Sequence, residues 1–340
     1  MQQSDAPVSD APVMEVQDLT RLFHVGGGGP FGLGGERRYV HAVEDVSFAL
    51  QRGHILALVG ESGSGKSTIA RLLARLDRPT SGQVRLKGCD VLSTRGRRAM
   101  LEYRAAVQMI FQDPFGSLNP VKTIGHHLAR PLTIHKGLHG RARDERTREL
   151  LRIVGLVPPA DYLDKYPHQL SGGQRQRVAI ARALAVDPEV LLADEPVSML
   201  DVSIRMGILT LMGQLKEQRA IAYLYITHDL ASARYIADET MVLYAGQMME
   251  KAPSDELMRE PAHPYTRLLL SAVPDPTRAK RRVEARGEIA TMINPRPGCR
   301  FAPRCPLAMA ICQRRTPEVT EVRPGHWVRC YAANPIRSVA

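Results

Sequence analysis

The stretch that decides the fold is "HILALVGESGSGKST", His54 to Thr68. An apolar run reads as a buried strand, a glycine turn follows, and a helix begins at the far side. Within it, Gly60 to Ser67 fits G-x-x-x-x-G-K-[ST], in the strand–turn–helix setting that this motif requires. Glycines let successive backbone N–H groups curl around phosphate oxygens, and the helix N-terminus adds positive potential. Lys66 is expected to bridge the outer phosphates and the Ser67 hydroxyl to ligate Mg²⁺. Gly60, Ser62, Gly63, Ser64, Gly65, Lys66, Ser67 and Thr68 are the expected contacts to a nucleotide.

Outward from this loop, "VLLADEP" (Val190 to Pro196) supplies a second apolar strand with two carboxylates at its C-terminal end. Open α/β sheets bind their ligands at that end. Asp194 is expected to hold Mg²⁺ through water, and Glu195 to orient or polarise the attacking water in a phosphoryl transfer. "YITHD" ends another strand with His228, placed for a contact to a γ-phosphate. Further strand-like runs at 14–24, 107–111, 222–227 and 240–244 alternate with helical stretches. The pattern predicts an α/β fold with a largely parallel central sheet. The insert from about Asp113 to Tyr166 reads as mostly helical, "VGGGGPFGLGGERR" as a flexible loop, and the chain from about Pro261 as an appendage.

"LSGGQRQRVAIARAL" (Leu170 to Leu184) is a second anion cradle: Ser171, Gly172 and Gly173 open a helix with apolar residues at helical spacing. One nucleotide already has its cradle at Gly60–Ser67, so the second makes sense if each chain offers it to another chain's nucleotide. With this motif the sequence resembles the ATP-binding-cassette (ABC) ATPases over about residues 14–260. The resemblance implies that Gln112, in "IFQDPFGSLNP", ligates Mg²⁺ and senses a transporter subunit. It implies that Ser171, Gly172, Gly173, Gln174 and Asp201 (in "SMLD") meet the ATP of a partner chain. Met199 stands where the family usually has alanine. Phe23 and Tyr39 are the candidates for stacking on adenine.

"FQDPFGSLNP", "YPHQLSGGQRQR", "DEPVSMLDVS" and "HPYTRLLLSAVP" also resemble the ATPase subunits of bacterial dipeptide and oligopeptide importers, which extends the likeness to almost the whole chain. That implies a P-loop ABC-type nucleotide-binding domain over residues 1–260, with a helical subdomain at about 113–185. It implies a small Cys-containing C-terminal extension at 261–340. The expected partners are a related second ATPase forming a heterodimer, two membrane-spanning permease subunits and an extracytoplasmic binding protein. The expected place is the cytoplasmic face of the inner membrane, as a peripheral subunit. Other small solutes, such as oligosaccharides or nickel, are alternative cargoes.

Four of the five cysteines, Cys299, Cys305, Cys312 and Cys330, lie in this extension with spacing C-x5-C-x6-C-x17-C. No pair has the close spacing of a zinc knuckle. Wider spacing suits a broader group, and a [4Fe–4S] cluster takes four thiolates; zinc or free thiols are the alternatives. The importer resemblance points the same way, because members with such a set hold a [4Fe–4S] cluster. Arg296, Arg300, Arg304, Arg314, Arg315 and Arg329 are expected to offset thiolate charge. Cys89 reads as a packed small hydrophobe.

Composition sets outer bounds. Hydrophobic residues make up 44% and charged residues 24%, as in a soluble globular protein. No apolar run approaches the roughly 20 residues of a membrane helix. The N-terminus is polar and acidic, unlike a secretory signal, so a cytosolic, reducing setting is expected, which argues against structural disulfides. Net charge is +11. From Pro276 onward 13 Lys or Arg stand against 4 Asp or Glu, a net +9, while the preceding 275 residues hold 33 against 31, a net +2. A basic tail raises the alternative of a cassette ATPase acting on nucleic acid. The single cassette and the few aromatics in the tail speak against it, and no nucleic-acid partner is expected.

Overall fold

The computed structural model describes residues 11–26, 37–272 and 291–333. Most of the glycine-rich stretch read as a loop lies outside them. Two sheets organise the chain. The first is antiparallel, built from β1 (Met14–Val25), β2 (Arg38–Leu50), β4 (Ser81–Leu86) and β5 (Cys89–Asp90) in the order β2-β1-β4-β5. The second contains β3 (Ile55–Val59), β6 (Val107–Ile110), β7 (Val190–Asp194), β8 (Ala222–Thr227), β9 (Glu239–Tyr244), β10 (Gln247–Pro253), β11 (Thr320–Arg323) and β12 (His326–Val328). Its order is β11-β12-β10-β9-β3-β8-β7-β6. The five strands from β9 to β6 run parallel, and the remaining three are antiparallel.

This order decides where the chemistry sits. β3, β7 and β8 are fully buried, as strands covered on both faces must be. Being parallel, β3, β6, β7 and β8 discharge at one edge, so Gly60, Gln112, Glu195 and His228 emerge side by side. One core, containing Ile55, Ile110, Leu128, Leu151, Val178 and Tyr223, joins the sheet to the helices Ile124–Lys136, Gly140–Ile153 and Gly172–Leu184. The helices of the stretch 113–185 are therefore packed on the sheet through their own apolar stripes. A second core on the other face joins β3 and β8 to the antiparallel sheet through Val16, Val46, Leu58, Ile69 and Leu224.

The C-terminal segment is built onto the same sheet. β12 pairs with β10, setting Glu250 against Val328 and Lys251 against Trp327. A third core, with Val242, Tyr244, Met249, Tyr265 and Phe301, lies between this segment and β9. Cys89 departs from expectation. It is exposed, because the two-residue β5 is the outer edge of its sheet and no element covers it. No helix among the described residues is long and apolar enough to cross a membrane.

Candidate nucleotide site

The phosphate loop is held by contacts that only glycine permits at its end. Gly65 has φ +105°, and a Cβ there would collide with the Ala42 carbonyl of β2. The helix Lys66–Leu73 starts immediately after it. Lys66 is buried, and its Nζ donates to the Gly60 carbonyl at 2.8 Å, the Glu61 carbonyl at 2.8 Å and Ser64 Oγ at 3.3 Å. Burial lowers its pKa, while the nearby Glu195, Asp194 and Glu61 oppose that shift. The ammonium thus occupies the hollow of its own loop, bonded to oxygens that a phosphate would replace. Ser62 and Gly63 are exposed along the mouth of the loop, with Ser67 next to it.

Opposite lies the carboxylate pair. Asp194 is buried at the end of β7 and accepts from Ser67 Oγ at 3.0 Å. Burial raises its pKa, partly offset by the Ser67 bond. Hydroxyl and carboxylate oxygens are the donors a hard cation takes, so Ser67 and Asp194 fit Mg²⁺ in kind. Glu195 takes a left-handed backbone with φ +44°, unusual for a non-glycine residue. Such a conformation costs on the order of 1–3 kcal/mol and concentrates at functional sites. Here it aims the carboxylate between two donors. Gln112 Nε2 donates at 2.9 Å, and His228 Nδ1 lies at 3.2 Å. Lys66, Ser67, Gln112, Asp194, Glu195 and His228, drawn from four strand ends, thus form one connected group.

Ser171 and Gln174 form a reciprocal cap. Gln174 N–H donates to Ser171 Oγ at 3.3 Å, and Ser171 N–H donates to Gln174 Oε1 at 3.0 Å. Gly172 and Gly173 lie against Leu200 and Ile204. These four residues open the helix Gly172–Leu184, and the bonds of its cap are local and not to the phosphate loop. Asp201 is exposed and caps the helix Val202–Arg219 without a side-chain bond. Around it Met199, Val202 and Met206 expose apolar surface. Phe23 has the Arg21 guanidinium over its ring at 4.3 Å, and Tyr39 packs edge-on to His24 at 5.4 Å.

Sequence reasoning gave Arg304 a different role and did not single out Tyr265. Arg304 donates to both Glu61 carboxylate oxygens, at 2.8 and 3.0 Å, and the Tyr265 hydroxyl accepts from the Glu61 N–H at 3.0 Å. No spacing rule links positions over 200 residues apart. The arginine expectation also changes. Arg300 pairs with Glu44 at 2.6 Å and Arg329 with Asp45 at 3.0 Å, so the three arginines adjacent to cysteines grip cassette carboxylates. The thiols themselves are all free. Burial pushes Cys299 up to about 11, and Cys305 and Cys330 also rise, with the neighbouring cysteines adding to each shift. The Cys299 N–H donates to the Cys312 carbonyl at 2.7 Å. Among the described residues no three His, Cys, Asp or Glu side chains form a group that could hold a metal ion.

Comparison with known proteins agrees with this geometry. The ABC transporter family model matches residues 43–198. The model of the oligopeptide/dipeptide transporter C-terminal region matches 249–312. The oligopeptide transport ATP-binding protein AppF of Bacillus subtilis is 43% identical over 323 residues, covering 94% of this chain and 97% of that protein. The dipeptide transport ATP-binding protein DppF of Escherichia coli is 42% identical over 325 residues, covering 95% of each. A dimeric ATP-binding cassette in a post-hydrolysis state, bound to ADP and Pi, aligns with TM-score 0.62 at 28% identity, over 71% of this chain and 98% of that one. The chain therefore belongs to the ABC transporter ATPases, in the group that carries the oligopeptide/dipeptide transporter C-terminal region.

Proposed function

We propose that this protein is the ATP-hydrolysing subunit of an importer that takes up dipeptides or oligopeptides across the cytoplasmic membrane. The observation that carries it is Glu195, held between Gln112 and His228 beside the Ser67–Asp194 pair. Similarity to the AppF and DppF proteins supports the cargo. Bound Mg²⁺ would neutralise charge on the transferring phosphoryl group. Lys66 leaves its loop carbonyls for the outer phosphates, and the loop N–H groups hold the remaining oxygens. Glu195 orients the attacking water, and His228 supports the γ-phosphate from the adjoining strand end. Gln112 ties Glu195 to the segment entering the helical subdomain, the part expected to face the permease subunits. ATP closure of two ATPase chains, one presenting Ser171–Gln174 and Asp201 to the other's nucleotide, shifts the permeases between their two access states.

Glu195→Gln is expected to keep MgATP binding, lower hydrolysis roughly 10²–10⁴-fold and stop peptide uptake by the assembled complex. Hydrolysis at the wild-type rate in that variant would overturn the assignment.

The four cysteines carry a second reading, a [4Fe–4S] cluster. Four free thiols that influence one another fit such a group in kind. Among the described residues no three side chains form a group that could hold a metal ion, which counts against zinc and cluster alike, so the cysteine spacing and the importer likeness carry this reading. Metal loading must drive protons off thiols whose pKa burial has raised. Anaerobically purified protein is expected to be brown, with absorbance in the visible blue. Colourless protein holding one zinc per chain would refute the cluster.

A further inference from the structure

Glu61 is the first variable residue of the phosphate loop, and all three of its polar groups are engaged. Its carbonyl accepts from Lys66 Nζ. Its N–H donates to the hydroxyl of Tyr265, on the helix Pro264–Ser271. Its carboxylate takes the two-pronged Arg304 guanidinium, the geometry in which an arginine–carboxylate pair is strongest. Lys66 must leave when phosphates arrive. The other two partners come from the C-terminal region and can stay.

Arg304 is not a loose surface side chain. It is 9% exposed and lies against Tyr244 and Phe301, with its guanidinium carbon 5.7 and 6.0 Å from the ring centres. Tyr244 packs edge to face on Tyr265 and on Phe301, and Tyr265 is tilted against Phe301, with all ring centres within 5.4 Å of one another. The next residue is Cys305, whose N–H closes a turn onto the Ala302 carbonyl. The same pattern recurs on either side. Arg300 follows Cys299 and holds Glu44, and Arg329 precedes Cys330 and holds Asp45. Asn294 exchanges two hydrogen bonds with the Tyr39 backbone. The cysteine-bearing module therefore grips the phosphate loop at one point and β2, which abuts Gly65, at several others.

We propose that Arg304 is a positioning residue for the ATP site: through Glu61 it fixes the entrance of the phosphate loop to the four-cysteine module, so that nucleotide binding and the order of that module are linked. The proposal rests on the ATPase reading above. Without Arg304 the Glu61 carboxylate is left unpaired beside the phosphate loop, and the loop loses its outer anchor. Binding should suffer more than chemistry, since neither Arg304 nor Glu61 touches the attacking water. Linkage is reciprocal, so nucleotide must in turn order the module.

The test uses the full chain in its assembled complex. Arg304→Gln is expected to raise KM for ATP about tenfold, equivalent to about 1.4 kcal/mol, with kcat within about twofold. Arg304→Lys should recover part of the loss, because a single ammonium neutralises without the fork. Tyr265→Phe, which removes only the hydroxyl, should raise KM in the same sense and carries the test if Arg304→Gln does not fold. In wild type, MgATP is expected to slow amide hydrogen exchange across residues 299–312, and in Arg304→Gln to leave it unchanged. Unchanged KM in these variants, or MgATP protection of 299–312 that survives Arg304→Gln, would overturn the proposal. A wild-type complex that hydrolyses no ATP would instead remove the ATPase reading on which it stands.

Discussion

At the scale of single residues, the junction between cassette and C-terminal region turns on two histidines of opposite character. His263 is buried and neutral: its Nδ1 accepts from the Tyr265 N–H at 3.0 Å and so starts a helix. Burial lowers its pKa to about 4, against the pull of Glu250. An unfolded chain takes up that proton near pH 6.5, whereas the folded one resists until about 4. Its contribution is thus complete above pH 6.5 and is lost as pH falls toward 4, by on the order of 3 kcal/mol at the end. His326 lies between Glu250 at 2.7 Å and Glu256 at 2.8 Å, and these bonds raise its pKa. Its contribution is present below pH 6.5 and is lost as pH rises through its folded value. His326 is common to both proteins, so between pH 7 and pH 5 the thermal midpoint of wild type is expected to fall relative to that of His263→Asn, which keeps a capping oxygen. Equal losses in thermal melts at the two pH values would refute this account. The residues of the phosphate site were legible because their chemistry is local: Gly60–Ser67 spans one turn, and Asp194–Glu195 ends one strand. Glu61 takes its outer anchors from Tyr265 and Arg304, far away in sequence, and His263 is enclosed by distant groups such as Phe301.

At the scale of elements, legibility follows the range of the signal. The apolar runs expected at 54–60, 107–111, 190–194, 222–227 and 240–244 form strands at Ile55–Val59, Val107–Ile110, Val190–Asp194, Ala222–Thr227 and Glu239–Tyr244. Burial on both faces writes β3, β7 and β8 as near-continuous apolar strings, whereas the edge strand β6 carries Gln108 and β9 opens on Glu239 and Thr240. The Ser171-x-x-Gln174 cap was readable for the same reason, since its bonds close within four residues. The hairpin Thr320–Val328 was not. Its strands are four and three residues long, and its partner β10 lies about 75 residues upstream. Local pattern carries no register at that distance. The sequence therefore read as a basic, proline-rich tail where the structure has a sheet edge and a core around Phe301.

At the scale of the whole molecule, the uneven charge finds an internal use. Arg300, Arg304, Arg323 and Arg329 pair with Glu44, Glu61, Glu256, Glu260 and Asp45. These pairs set part of the tail's positive charge against carboxylates of the cassette. What the chain does leave open is apolar: Phe111, Met199, Val202 and Met206 are exposed near the carboxylate group and Asp201. The second cradle at Ser171 bonds to its own Gln174, at the start of the helix Gly172–Leu184. On the proposed function, each chain's two cradles are completed by a second ATPase chain. Closure should then need ATP, persist when hydrolysis is blocked, and fail when the apolar rim is charged. The Glu195→Gln protein with MgATP, alone or with its related ATPase, is expected to sediment at about twice the mass of one chain, and to return to one chain without nucleotide. Adding Met199→Glu, at a side chain already 59% exposed, should abolish the heavier species while leaving the thermal midpoint unchanged, because an exposed position away from the core contributes little to folding. A heavier species that forms equally well without ATP, or that tolerates the glutamate, would show that the two cradles do not meet across this surface.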